Sequence, residues 1–357
     1  MQSVRLNKTR YWGRLPALML CAAAMLTVAQ TSFAQGDGLT AQRKSAAALL
    51  NLIHDAAQQQ NYEGTFIYQR GATVQSSRIT HVATRGDGEY ESLESLDGAP
   101  RRMLRHDDDM HTFIPERHLL AVEHRQSKDS FPSLLSTSGD QVLSNYEPKM
   151  LSTDRVAGLD SQVLELDPKD KYHFAYKLWA DAKTGLLLRA QTLNPDNGQV
   201  LEQLSFSQVK IGGPIDKVSI ANGMRSMSGW TVVRPPVQSV DMESQGWKLA
   251  PNIHGFRMIR ELRRPMASSQ QGQPPIPVDQ AVYSDGLAAI SVFVEPVEKN
   301  SRKEGAGSSG ATHVLVKRRG DFWITLLGEV PQATLQQFVS TIEYMTACDA
   351  SRIDCRR

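Results

Sequence analysis

Cysteine is scarce in this chain, with only three among 357 residues. Cys21 lies near the start and Cys348 and Cys355 near the end, so no disulfide framework can staple the body of the fold. In an oxidising compartment the terminal pair could close a small loop worth about 2–3 kcal/mol if unstrained. A CxxxxxxC spacing without histidine partners is a poor metal site. The sequence also lacks HExxH and GxSxG, which removes the zinc-peptidase helix and the hydrolase nucleophile elbow. An exported hydrolase therefore has no motif behind it, and the chain is read as a non-enzyme that needs no cofactor and no metal. Long apolar runs are missing as well: the one clear run, residues 15–29, is too short to span a bilayer.

That run follows Arg5, Lys8, Arg10 and Arg14 and precedes Ser32 and Ala34, the pattern of a secretory signal peptide cleaved after Ala34. Leu20, rather than a small residue, precedes Cys21, which argues against a lipidated anchor. Removing residues 1–34 also removes four basic and no acidic side chains. Of 40 basic and 38 acidic residues, 36 and 38 then remain, a balance of −2. Nucleic acid loses its electrostatic support as a partner. Export further separates the chain from nucleotide and nicotinamide pools.

The remaining length suits two domains better than one core. Leu49, Leu52, Ile53 and Ala56 recur at helical spacing and predict a helix over 41–59. From Asn61 to Ile211 the period changes to two, broken by turn signals at Gly71, Gly86-Asp87-Gly88, Asp97-Gly98 and Asn197-Gly198, which predicts a long antiparallel meander. Within it, Tyr172, Phe174, Tyr176 and Leu178 should share one face of a strand over 172–179. The strands stop at Gly212-Gly213-Pro214. The predicted organisation is a first domain over 35–212, a linker over 213–228 with the small residues a hinge needs, a second domain over 229–346, and a tail over 347–357. The second domain should hold a strand at 287–294, a hairpin of 312–319 and 322–327, and a closing helix from Pro331. Residues 268–278 and 299–311 are expected as loops.

Three stretches invite a functional meaning. Gly305, Gly307 and Gly310 spell GxGxxG, but no helix opens on them, so a flexible loop is expected rather than a dinucleotide turn. His106-Asp107-Asp108-Asp109-Met110-His111 has ligand-type side chains, yet three consecutive Asp between strand-like runs make a hairpin turn. Arg257, Arg260, Arg263 and Arg264, together with Lys317-Arg318-Arg319, form basic clusters on a chain of negative balance. They could attract an acidic peptide or a lipid phosphate.

Residues 178–189, running Leu-Trp-Ala-Asp-Ala-Lys-Thr-Gly-Leu-Leu-Leu-Arg, with Asn197-Gly198 to Glu202 beyond, resemble the W-x-D-x-x-T-G-L hairpin of LolA-like lipoprotein carriers. The mature chain as a whole is similar to the RseB/MucB family of periplasmic negative regulators of the sigma-E envelope-stress response. The telling pieces are Asn61 to Tyr68, Trp230 to Pro236, Pro251 to Phe256, Tyr283 to Leu287, Val292 to Pro296 and Val330-Pro331.

The resemblance implies an α+β, two-domain protein: an unclosed antiparallel β-barrel wrapped on helices, LolA-like, followed by a smaller α/β domain with an antiparallel sheet. It implies a periplasmic location and, as partner, the periplasmic domain of a transmembrane anti-sigma factor of the RseA/MucA type. That segment would be shielded from proteolysis and released by lipid or lipopolysaccharide acyl chains, with a homodimer as a further association and alginate regulation as a setting. The runner-up function is a periplasmic lipid or lipoprotein carrier. Phe66, Tyr68, Leu104, Phe113, Leu164, Leu166, Phe174 and Tyr176 are the expected lipid-pocket lining. Trp230, beside Arg257, Arg260, Arg263 and Arg264, is the expected partner anchor on the second domain.

Overall fold

A computed structural model describes residues 30–84, 86–124, 137–266, 274–297 and 302–345. The expected signal peptide up to residue 29 and the pair Cys348 and Cys355 lie outside the described residues. Among the described residues, no helix is long and apolar enough to cross a membrane. The described residues from 43 onward form one compact unit, which holds a twelve-stranded, a seven-stranded and a two-stranded sheet.

The chain enters through helix α1 (Gln30–Gln59) and then builds strands β1 (Tyr62–Arg70), β2 (Thr73–Ala83), β3 (Glu89–Ser95), β4 (Arg102–His106), β5 (Asp109–Ile114) and β6 (Leu119–His124). Helix α2 (Gly139–Asn145) precedes β7 (Tyr146–Val156), β8 (Leu159–Pro168), β9 (Ala175–Asp181), β10 (Leu187–Leu193) and β11 (Val200–Ile211). Helix α3 (Lys217–Arg225) and strand β12 (Thr231–Val233) follow. The twelve strands lie in the order β12-β6-β5-β4-β3-β2-β1-β11-β10-β9-β8-β7. Every pairing is antiparallel except β12 on β6, and the end strands β12 and β7 do not pair, so the expected unclosed barrel is what forms.

Local chemistry explains the hairpins. Asp107 takes a positive φ of 49° between β4 and β5, and its Oδ1 accepts the Glu89 N–H at 2.9 Å, so the acidic run is indeed a turn. Between β9 and β10, Asp181 Oδ2 accepts the N–H and the hydroxyl of Thr184, both at 2.8 Å. Gly185 follows with φ +78°, and a Cβ there would lie 2.3 Å from Leu52 Cγ of α1. Only glycine allows both the backbone angle and so close a helix. Leu50 and Ile53 of α1 bury against Tyr146, Leu164, Leu166 and Leu178.

The second sheet comprises β13 (Gln238–Ser239), β15 (Arg257–Met266), β16 (Ile276–Ser284), β17 (Ala289–Pro296), β18 (Gly305–Ser309), β19 (Thr312–Arg319) and β20 (Phe322–Gly328), in the order β13-β15-β16-β17-β20-β19-β18. Strand β14 (Trp247–Leu249) pairs with β21 (Ile342–Tyr344) beyond helix α4 (Gln332–Ser340). Leu335, Phe338 and Val339 of α4 close the core over Tyr283, Ile290 and Ile324.

Three expectations need correction. Residues 305–309 are an edge strand rather than a loop, because Gly310 turns the chain so that β18 ladders onto β19. The expected linker is largely helical: α3 buries Ile220 against Leu104 and Leu120, and β12, placed by the sequence in the second domain, extends the first sheet. Residues 172–174 precede β9 rather than join it, because Asp170 Oδ1 accepts the Tyr172 N–H at 2.8 Å and lies 2.7 Å from His173 Nδ1.

Candidate functional site

Between α3 and the β3–β5 end of the large sheet lies an open cleft of about 500 Å³. Its floor is Phe113 of β5 and the half-buried Trp230, whose rings meet edge-on with centroids 5.1 Å apart. Trp230 is fixed by its neighbours: Thr231 N–H donates to His118 O at 2.7 Å, starting the β12–β6 pairing. Asn222, Gly223 and Ser226 of the α3 end form the opposite wall. A Cβ on Gly223 would lie 2.6 Å from Leu104 Cδ1, so the helix sits hard on the sheet. At the other end of α3, Lys217 hydrogen-bonds Asp87 and holds that carboxyl below its usual range. Arg101 and Arg102 are exposed on the rim, and among the described residues neither guanidinium meets a carboxylate. Glu94, opposite Arg102 in register, pairs with Arg78 at 3.3 Å.

A second constellation lies where the two sheets' domains meet. Asp285, 1 % exposed in the β16–β17 turn, accepts the N–H groups of Leu287 and Ala288 through Oδ1 at 2.9 and 2.7 Å. Its Oδ2 accepts the Tyr146 hydroxyl of the first domain at 2.9 Å and lies 3.5 Å from His173 Nε2. Burial first, and the Asp285 charge next, push the Tyr146 phenol far up, which keeps it a neutral donor. The His173 ring stacks on Phe256 at 5.3 Å, and His254 Nδ1 lies 2.6 Å from Asn145 Oδ1. Farther along the seam, Glu202 accepts from Tyr68 Oη at 2.6 Å, Ala311 N–H at 3.0 Å and Thr312 Oγ1 at 3.3 Å. Thr334 of α4 donates to Tyr172 O at 2.7 Å. Buried polar groups are costly unless satisfied, so this seam specifies one docking of the two domains.

A sequence profile described as MucB/RseB N-terminal domain matches residues 45–224, and one described as MucB/RseB C-terminal domain matches 241–343. The chain belongs to the MucB/RseB family. It is similar to the sigma factor AlgU regulatory protein MucB of Pseudomonas aeruginosa, 26% identical over 333 residues that cover 92% of this chain and 97% of that protein. It is also similar to the sigma-E factor regulatory protein RseB of Haemophilus influenzae, 25% identical over 311 residues that cover 85% of this chain and 93% of the relative. Among solved structures, the P. aeruginosa MucA/MucB complex aligns with a TM-score of 0.66 at 27% identity, covering 85% of this chain and 100% of that one.

In this MucB/RseB chain the eight expected lining residues do not gather around one cavity. Leu164, Leu166 and Tyr176 are core beneath α1 and α2, and Phe66 belongs to a neighbouring cluster with Phe206. Leu104 is fully buried under α3, Phe174 faces His313 of the second domain at 6.1 Å, and Tyr68 is committed to Glu202. Only Phe113 lines the large cleft. Strand alternation identifies inward faces but not which inward side chains a helix later covers.

The expected anchor is also dispersed. Trp230 packs on the first sheet, because β12 carries it there, and not beside the arginines of β15. Arg263 forms a two-pronged pair with Asp279 at 2.5 and 2.8 Å. Arg264 reaches Glu123 of the first domain at 3.5 Å, and Arg257 donates to Thr137 and Gln141 at 3.3 and 3.2 Å. Arg260 lines a separate cleft with His124, Val237 and Ile259. Two of the four arginines therefore tie the domains together. The seam residues Asp285, His254 and Phe256 sit in the Tyr283–Leu287 and Pro251–Phe256 stretches by which the sequence resembled its family, though nothing in their spacing marked them as a joint.

Proposed function

We infer that this protein binds the periplasmic region of a membrane-spanning anti-sigma factor, shields it from regulated proteolysis, and lets go when a lipid or lipopolysaccharide acyl chain binds. The observation that carries the reading is the likeness over both domains to MucB, a relative solved in complex with MucA. The periplasmic location follows from the same reading and from the signal-like start. The seam supports a regulator over a carrier. A carrier needs one lipid pocket, whereas here a second domain is held to the first by the buried carboxylate of Asp285 and by Glu202, an investment suited to a surface built from both domains. Release by a ligand requires that it bind the partner-free state better. The test is protease digestion of the anti-sigma periplasmic segment with and without this protein, then with added lipid. Protection that lipid removes is the expected result. Equal cleavage throughout, or recovery of the protein with stoichiometric lipoprotein instead, would overturn the reading.

A further inference from the structure

We propose that His111 is an acid-sensitive catch on the segment joining the two domains: a proton on its imidazole lifts residues 226–234, β12 included, from the large sheet while the domain seam stays closed. This goes beyond the reading of function above and does not depend on it.

Strand alternation places the ring under that segment. In β5, Met110 lies in a row with Tyr62, His81, Glu91 and Arg105 across one face of the sheet. His111 therefore belongs to the other face, between Leu104 of β4 and Val122 of β6. That face is the covered one, where Met224, Met227 and Val232 pack with Leu104, Leu120 and Val122. The residue is 6 % exposed, and among the described residues its Nδ1 meets no hydrogen-bond partner. His81, equally buried on the opposite face, has Gln60 O 2.8 Å from its Nδ1. A neutral imidazole keeps one bare nitrogen, but protonation makes both nitrogens donors. The second N–H then has no acceptor beneath the segment, and an unmade buried bond is costly.

The charges around the ring do not offset this cost. Asp109, two residues back on the same face, already has His124 Nδ1 at 2.9 Å. Arg234, at the end of the covering segment, adds a like charge, and its own guanidinium is turned to Met227 Sδ at 3.8 Å. In α3, Lys217 is held by Asp87 and Arg225 donates to Asn222. In β4, His106 stacks on Tyr90 and Arg102 lies on the cleft rim. Burial first, opposed by Asp109 and reinforced by Arg234, holds the His111 imidazole below its ordinary 6.5. The covered arrangement is therefore complete above 6.5 and weakens as pH falls from there through the covered-state value. Lifting the segment returns the ring to water. The seam responds differently, because His173 lies between the carboxylates of Asp170 and Asp285, where a proton meets acceptors. Acid thus acts on one joint and spares the other.

The test is hydrogen exchange of the full mature chain between about pH 7.5 and pH 5, read as protection factors so that the intrinsic pH dependence of exchange cancels. Protection of amides 231–233 should fall by up to about tenfold per pH unit below 6.5, the limit for one proton gained on opening, while Leu287 and Ala288 stay protected. Tryptophan emission should shift over the same range, and Trp230→Phe should remove that shift. His111→Leu fills the slot without titrating and should leave protection at 231–233 independent of pH. Arg234→Gln, an exposed change that keeps the test decisive if the leucine variant does not fold, should make the fall smaller. His81→Asn, on the opposite face, should leave the profile of 231–233 as it is. A flat profile in the unmodified protein, an equal fall in His111→Leu, an unaltered fall in Arg234→Gln, or parallel loss at Leu287 and Ala288 overturns the proposal.

Discussion

Replacing Asp285 by alanine should cost more than any surface change in this protein, and the structure sets the size. The carboxylate is 1 % exposed and answers three donors, the hydroxyl of Tyr146 and the N–H groups of Leu287 and Ala288, with His173 Nε2 also 3.5 Å away. Alanine leaves those donors without an acceptor in a site that water does not reach. Each orphaned group costs about 1–3 kcal/mol, and removing one member of a buried charged network typically costs about 3–5 kcal/mol in all. We expect a loss near 4 kcal/mol, on the order of the second of those figures. Because the seam joins two domains, the loss should also uncouple them: urea unfolding followed by circular dichroism and tryptophan emission should change from coincident curves to separated ones. Asp285→Asn keeps an oxygen for Leu287 and Ala288 but places an amide near Tyr146, so it should cost about half as much. Coincident curves and a loss under about 1 kcal/mol for the alanine variant would refute the claim that this carboxylate fixes the domain docking.

Two further outcomes follow from single residues. His81 is buried with Nδ1 2.8 Å from Gln60 O, and burial lowers its pKa from the ordinary 6.5, so the fold favours the neutral ring. Its stabilising contribution is then complete above 6.5 and is lost as pH falls from there through the folded-state value; desolvation acts on His111 in the same direction. His81→Asn should flatten the fall in unfolding free energy between about pH 7 and pH 5, and a slope equal to that of the unmodified protein would exclude His81 as its source. Gly185→Ala should destabilise by about 2 kcal/mol or more, combining a left-handed backbone angle with a clash on Leu52, whereas Leu52→Ala in the same chain should recover the clash and not the angle. Full recovery in denaturant melts would mean that φ at Gly185 costs nothing.

The fold class was legible because alternation over residues 61–211 and the Asp181–Gly185 turn are local signals, each satisfied within a hairpin. The closing helix was legible for the same reason: Leu335, Phe338 and Val339 mark one face whatever they pack against. The expected linker over 213–228 was misread because Gly223 carries two meanings that sequence does not separate. A glycine can free a backbone, or it can let a helix lie on a neighbour, and here it lies on Leu104. The arginines of β15 looked available because their partners, Asp279, Glu123 and Gln141, come from elsewhere in the chain. The seam was invisible for the same physical reason. Asp285, Tyr146 and His173 are each unremarkable in their own segments, and only the docking of two domains makes one buried network of them.

The domains are joined in two physically different ways, and the difference decides where a signal could act. The seam is buried, and opening it anywhere strands polar groups, so it should open only together with loss of the docking. The connection is held by α3, whose Ile220 buries against Leu104 and Leu120, and beyond it only by three residue pairs between β12 and β6 and the packing of Trp230 and Val232 on that sheet, with Thr231 and Val233 exposed. Regions with few buried contacts and exposed backbone bonds open at the low end of a protein's stability range. Amides of 231–233 should therefore exchange with solvent well before those of Leu287 and Ala288. Any signal acting on the seam would have to supply the cost of several unsatisfied buried groups at once. The β12 segment, rather than the seam, is therefore the weaker of the two joints between the domains.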